Sequence, residues 1–178
     1  MGSKKVKRRL MLAARPSLRK HPRPPKARTL MGESFSMANF GGVLLLQHCQ
    51  ECGLINYPSR ERCRSCLSDD FRWRQTDTSG EIVSYTQIHI SQWEFFKRKV
   101  KDGPWPIASV KLAGQILFAH LALDTFGGGD LVLGTKVKVF TQSDTAKKSV
   151  LIAVSEQTDI TTASQRKAIA VAIGIAEY

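Results

Sequence analysis

Four cysteines, Cys49, Cys52, Cys63 and Cys66, form two Cys-x2-Cys pairs separated by ten residues, and the chain has no others. Each pair bends the backbone so that two thiolates reach one ion, and two pairs complete a tetrahedral sulfur cage. The spacing reads as a structural zinc ribbon with these four residues as metal ligands. Two disulfides are a competing reading, but they need an oxidising compartment, and the apolar stretch around Leu10 to Ala14 is too short for a secretory signal. Iron is a second alternative, since it accepts the same sulfur ligands. Four sulfurs close the coordination sphere, so the metal holds structure rather than activating a substrate. Gly53 follows the first pair, where a tight turn needs a residue free of Cβ clashes. His48 adjoins Cys49 and, with four thiols available, is expected to be an exposed neighbour.

Other chemistry-bearing residues give weaker signals. His89 and His120 fall on expected strands with no neighbouring signature of a triad base, and such histidines are more often packed or hydrogen-bonded. Gly127 to Gly129 lacks the Lys-Ser/Thr of a phosphate loop and reads as flexible linkage. Lys97, Arg98, Lys99 and Lys101 follow Trp93, Phe95 and Phe96 in a loop or short helix. Aromatics beside cations can clasp an adenine and its phosphates, or stack on single-stranded nucleic acid. The plainer reading is a hydrophobic anchor with a solvated charged face. Trp105, between two prolines, reads as a core or rim plug, and Arg60 and Arg62 as solvent-facing.

The elements that must position these residues are short strands. Glu81 to Ile90, Trp105 to Leu112, Gln115 to Leu123, Thr135 to Thr141 and Ser149 to Val154 are rich in β-formers, with Phe71 to Gln75 leading out of the metal module. Thr78-Ser79-Gly80 reads as a turn or bulge, and the nearly continuous apolar run of Gln115 to Leu123 as a strand buried on both faces. The fold class is mainly β: a four-cysteine ribbon followed by a small OB-like barrel. The expected organisation is a disordered basic arm (1–32), a helical lead-in and rubredoxin-like ribbon (38–70), a barrel (71–156) and a C-terminal tail (157–178).

Net charge is +12, but residues 1–32 hold eleven Lys or Arg and no acid, while the rest holds sixteen basic and fifteen acidic side chains. The basicity belongs to the arm and not to the body. The arm reads as solvated chain upstream of a start at Met31 or Met37, as a nucleic-acid-binding extension, or as an organelle transit peptide. No segment approaches the ~20 apolar residues of a membrane span, so a soluble, cytoplasmic protein is expected.

The order of parts resembles one family, the zinc-ribbon/OB-fold acyl-CoA-associated proteins long catalogued as a domain of unknown function. The stretches that carry the resemblance are LLLQHCQECG (44–53), YPSRERCRSC (57–66), FRWRQTDTSGEIVSYTQI (71–88), GPWPIASVKLAGQILFAHL (103–121) and LVLGTKVKVF (131–140). The match spans about residues 38 to 154. It implies an accessory subunit or scaffold for thiolase-like, hydroxymethylglutaryl-CoA synthase-like, aldolase or hydratase enzymes, with a barrel that holds part of coenzyme A or acyl-CoA. Lys97, Arg98, Lys99 and Lys101 are then the candidate cofactor contacts. A thiolase-type reaction needs a nucleophilic thiol, and every cysteine here is assigned to metal, so the chain alone is expected not to be an enzyme. The other function class is a single-stranded nucleic-acid-binding ribbon/OB protein, which the near-neutral body disfavours. A catalytic acyltransferase subunit using His89 or His120 is the third. The piece from Lys167 to Tyr178 resembles the opening strand of thiolases; the alternative is an apolar tail that covers the barrel or a partner.

Overall fold

The computed structural model describes residues 28–92, 94–128 and 131–176. The expected basic arm up to residue 27 and Trp93 lie outside them. Helix α1 (Leu30–Ala38) opens on Thr29, whose side chain accepts the Gly32 N–H at 3.2 Å. Such a cap satisfies one of the otherwise unpaired amides of the first turn. The helical lead-in thus precedes the 38–70 span suggested by sequence. It ends at buried Asn39, whose side chain donates to Phe35 O and Leu45 O and accepts from Leu45 N–H. The Asn39 carbonyl also accepts from Thr141 Oγ1, so one residue ties the helix to two sheets.

The ribbon is a small antiparallel sheet in the order β2-β1-β3: β1 (Leu45–Cys49), β2 (Ile55–Asn56) and β3 (Phe71–Gln75). Five strands then close a barrel in the order β4-β5-β6-β8-β7: β4 (Ser79–Ile88), β5 (Trp105–Leu112), β6 (Gln115–Leu121), β7 (Lys136–Ser143) and β8 (Ser149–Ser155). Ser79 and Gly80 begin β4 rather than forming a separate turn, because they pair with Lys138 and Val137. Gly80 is required there: a Cβ would sit 2.6 Å from Val110 Cγ1 and 2.9 Å from Lys111 O.

Closure leaves one soft seam. Strands β6 and β8 run parallel and pair only through His120↔Ile152 and Leu121↔Ala153. The remainder of β6 is held by β5 alone, with Ile107↔His120 through Leu112↔Gln115 in register.

The barrel interior is built from alternate residues, among them Ile82, Val110, Leu117, Leu121, Val139 and Leu151, and Leu44 and Leu46 of the ribbon join the same cluster. A second apolar cluster covers the outside of β7 and β8, where Phe140, Ile152 and Val154 lie beneath Ile160, Ala170 and Ile175. This corrects the reading of Gln115–Leu123. Strand β6 alternates, with Ile116 55% and Phe118 66% exposed, while His120 on the same outer face packs against Phe96 and Trp105; β8 is the strand enclosed on both sides.

The cover includes a C-terminal helix, α3 (Ala163–Ala172): of the two sequence readings of the tail, the apolar cover over the barrel is formed and the strand from Lys167 onward is not. Thr162 and Gln165 form a reciprocal capping box, and the alanines that follow are strong helix formers. Tertiary burial of one face of α3 then outweighs the local preference of its Ile and Val for strand. Helix α2 (Glu94–Lys99) packs on the same outer cluster through Phe96 and on Trp105 at 6.0 Å between rings.

Candidate metal centre and ligand cleft

The two Cys-x2-Cys segments sit on matching turns. In the first, Cys49 N–H donates to Leu54 O and Gly53 N–H to Cys49 O; in the second, Cys63 N–H donates to Ser68 O and Leu67 N–H to Cys63 O. The residue after each second cysteine is left-handed, Gly53 at φ +71° and Leu67 at φ +61°. Sequence marked the first through its glycine and gave no sign of the second. The turns bring the four Sγ atoms within 4.8 Å of one another, with Cys49 to Cys66 and Cys52 to Cys63 at 3.5 Å. A tetrahedral zinc site at ~2.3 Å Zn–S places sulfurs about 3.8 Å apart, so the cage fits zinc.

The thiols behave as a group. Backbone N–H groups of Cys66 and then Ser65 hold Cys63 down to about 6. At Cys66 the Ser68 N–H works in the same direction, but desolvation and the three neighbouring sulfurs push it up to about 12. Four thiolates this close cannot all ionise without a cation among them, and a metal supplies it.

Buried Gln47 and Asn56 position the cage. Gln47 exchanges two hydrogen bonds with the Arg60 backbone, and Asn56 holds Arg64 N–H and reaches Cys63 Sγ at 3.8 Å. His48 is half-buried rather than an exposed neighbour. Burial and then the Arg74 charge keep it below its usual value. Arg60 and Arg62 are exposed.

A cleft of about 290 Å³ lies at the seam between β6 and β8, beside the ribbon. Arg28 from the start of α1, Tyr57 from the ribbon and His120 from β6 line it, with Phe35, Phe118 and Leu151 as apolar walls. His120 Nδ1 accepts the Trp105 indole N–H at 3.0 Å. The neutral ring therefore carries its proton on Nε2. Burial, then the Arg28 charge, lowers His120 to about 4. With Nδ1 occupied and Nε2 protonated, His120 has no lone pair for proton abstraction. His89 lies beyond the end of β4, exposed, beside an open groove with Tyr85 and Leu133. The two histidines are not brought together.

The basic run is divided. Lys97 and Lys101 are exposed. Lys99 turns inward, with Nζ 5.7 Å from the Trp105 ring centre and so close to Gly174 that a Cβ there would collide with it. The side chains of Phe95 and Arg98 lie outside the described residues. Lys97, Lys99 and Lys101 do not line the seam cleft. Nothing in the sequence marked Arg28 or Tyr57, since their convergence depends on folding.

Residues 42–72 match the family model of the ChsH2 rubredoxin-like zinc ribbon domain. This segment is similar to the ChsH2-type zinc ribbon. The chain carrying it is 29% identical over 65 residues to a DUF35 domain-containing scaffold protein of Methanocaldococcus jannaschii, an alignment covering 36% of this chain and 43% of the relative. The chain thus spans less than half the length of the curated relative it matches. Among solved structures, an Ltp2-ChsH2(DUF35) aldolase chain is 20% identical, with 75% of this chain and 98% of that one superposed at a TM-score of 0.58. It shares the ChsH2-type ribbon and barrel fold. A DUF35-family protein of unknown function from Sulfolobus solfataricus is 21% identical over 62% of this chain and 78% of its own, with a TM-score of 0.42. The resemblance to the DUF35 ribbon/OB proteins is therefore supported by sequence and fold.

Proposed function

We propose that this chain is a non-catalytic accessory subunit, a metal-stapled scaffold that docks on a thiolase-like, synthase-like or hydratase enzyme of acyl-CoA metabolism and contributes to holding coenzyme A or acyl-CoA. The observation that carries this reading is its likeness to a DUF35 scaffold protein. Two features of its own residues support it. All four thiols face one another in a closed cage, and the cleft histidine is locked in the tautomer that cannot act as a base. Lys97, Arg98 and Lys101 are the candidates for the phosphates of the cofactor, with Lys99 anchoring their helix. No described helix is long and apolar enough to cross a membrane, and we place the protein in the cytoplasm with its partner.

The test is affinity capture of the chain from its native host, with nuclease present, and identification of bound proteins by mass spectrometry. Recovery of an acyl-CoA enzyme, whose activity the purified chain restores while having none itself, is the expected result. Recovery of nucleic-acid machinery alone, or turnover by the metal-loaded chain without a partner, would overturn the proposal.

A further inference from the structure

We infer that the seam cleft is a binding site for a small organic anion, a monocarboxylate with a short apolar body, bound between Arg28, Tyr57 and His120. The reasoning begins with the barrel. Because β6 and β8 pair only at His120↔Ile152 and Leu121↔Ala153, the strands part on the Phe118 side of that contact. The ribbon and α1 roof the opening and leave about 290 Å³, near the lower end of the ~300–1,000 Å³ of small-molecule clefts.

Three of the polar side chains that line it, Arg28, Tyr57 and His120, can donate into it. His120 spends Nδ1 on Trp105 and keeps Nε2–H. Tyr57 brings its phenolic hydroxyl to the same cleft, where its O–H can donate to an acceptor. Arg28 reaches Asp144 at only 3.6 Å through one nitrogen, so most of its guanidinium donors stay available. Arg28, Tyr57 and His120 all line this one volume. Among the described residues no carboxylate lines the cleft; Asp144 is not part of the lining and faces Arg28 at 3.6 Å. Two neutral donors beside a guanidinium select a negatively charged acceptor. Met31, Phe35, Phe118, Val150 and Leu151 provide the apolar surface that separates an organic acid from an inorganic anion. Lys97, Lys99 and Lys101 do not line it, so the site is distinct from these candidates for the proposed coenzyme A contact.

The test is titration of the full, zinc-loaded chain with hexanoate, read by the ¹H–¹⁵N resonance of the His120 imidazole, with hexanamide and inorganic phosphate as comparison ligands. Saturable binding that shifts the His120 signal is expected. Hexanamide should bind weaker by about tenfold or more, as should hexanoate to Y57F and to R28Q, since each loses one charge-assisted contact. Y57F keeps the ring and R28Q alters an exposed position, so both are compatible with a folded chain. Phosphate should compete poorly for lack of an apolar body. Equal affinity for hexanamide, phosphate binding as strong as hexanoate, affinity unchanged in both variants, or no saturable binding would each overturn the inference.

Discussion

The two cysteine turns make the same backbone demand and meet it with different residues. Gly53 occupies its left-handed position without strain, and Leu67 occupies the equivalent one with a side chain 67% exposed. A left-handed conformation costs an L-residue with a side chain roughly 1–2 kcal/mol relative to glycine. Gly53→Ala should therefore destabilise the metal-loaded protein by about 1 kcal/mol, since open space around the added Cβ leaves only the backbone cost. Leu67→Gly should be neutral or stabilising by up to about 1 kcal/mol, because little packing is lost. Urea unfolding of both variants checks the pair, and a destabilised Leu67→Gly would show that the leucine makes a contact worth more than its strain. His120 supports a pH prediction of defined sign. Its folded value, about 4, lies below the ~6.5 of an unfolded histidine. Between these values the unfolded chain binds a proton that the native chain refuses. Stability is then complete above about pH 6.5 and falls as pH drops toward 4, by up to about 1.4 kcal/mol per unit. The metal thiols also titrate in acid, so the difference between wild type and His120→Gln isolates the effect. That difference should shrink steadily from pH 7 to pH 4.5 in urea midpoints, and parallel profiles would refute it.

At the scale of elements, α3 seals the outer face of β7 and β8. Ile160 and Ile175 are buried against Phe140, Ile152 and Val154, which no barrel strand covers. Burying one such side chain contributes about 1.5–3 kcal/mol. Truncation after residue 157 should cost about 4 kcal/mol or more and expose an apolar sheet face, lowering the thermal midpoint and raising dye binding. An unchanged midpoint would mean that the outer cluster does not support the barrel. This helix also marks where sequence reading stops. The metal ligands were legible because two Cys-x2-Cys pairs carry their geometry in their spacing, and most strands because period-two patterning is local. The C-terminal segment was not, because alternating Ala, Ile and Val suit a strand as readily as a helix, and the decision came from the capping box and a distant sheet face. The outer face of β6 was misread for the converse reason: Ile116 and Phe118 are apolar but stay largely exposed. Of the cleft of Arg28, Tyr57 and His120, sequence singled out His120 alone and not its convergence with the other two, as the members are far apart in the chain.

For the molecule as a whole, the decisive feature is that ribbon and barrel share a core. Leu44 and Leu46 of the ribbon pack in one cluster with Leu117, Val139 and Leu151 of the barrel, and Asn39 hydrogen-bonds to both β1 and Thr141. A structural zinc site contributes on the order of 10 kcal/mol, comparable with the ~5–15 kcal/mol of a whole domain. Removing the metal should therefore disturb the barrel as well as the ribbon. Two tryptophans report separately: Trp73 lies on β3 of the ribbon, and Trp105 is buried on β5 of the barrel. In a Trp93→Phe background, with Trp73→Phe or Trp105→Phe leaving one reporter each, chelator titration should give coincident transitions in the two proteins. If the Trp105 signal keeps its urea midpoint after the metal is gone, ribbon and barrel are separate folding units and their common cluster is only a contact. Coincidence would mean that the four sulfurs, by fixing β1 through Cys49, hold Leu44 and Leu46 in the barrel's end and so hold closed a barrel whose own seam is two residue pairs long.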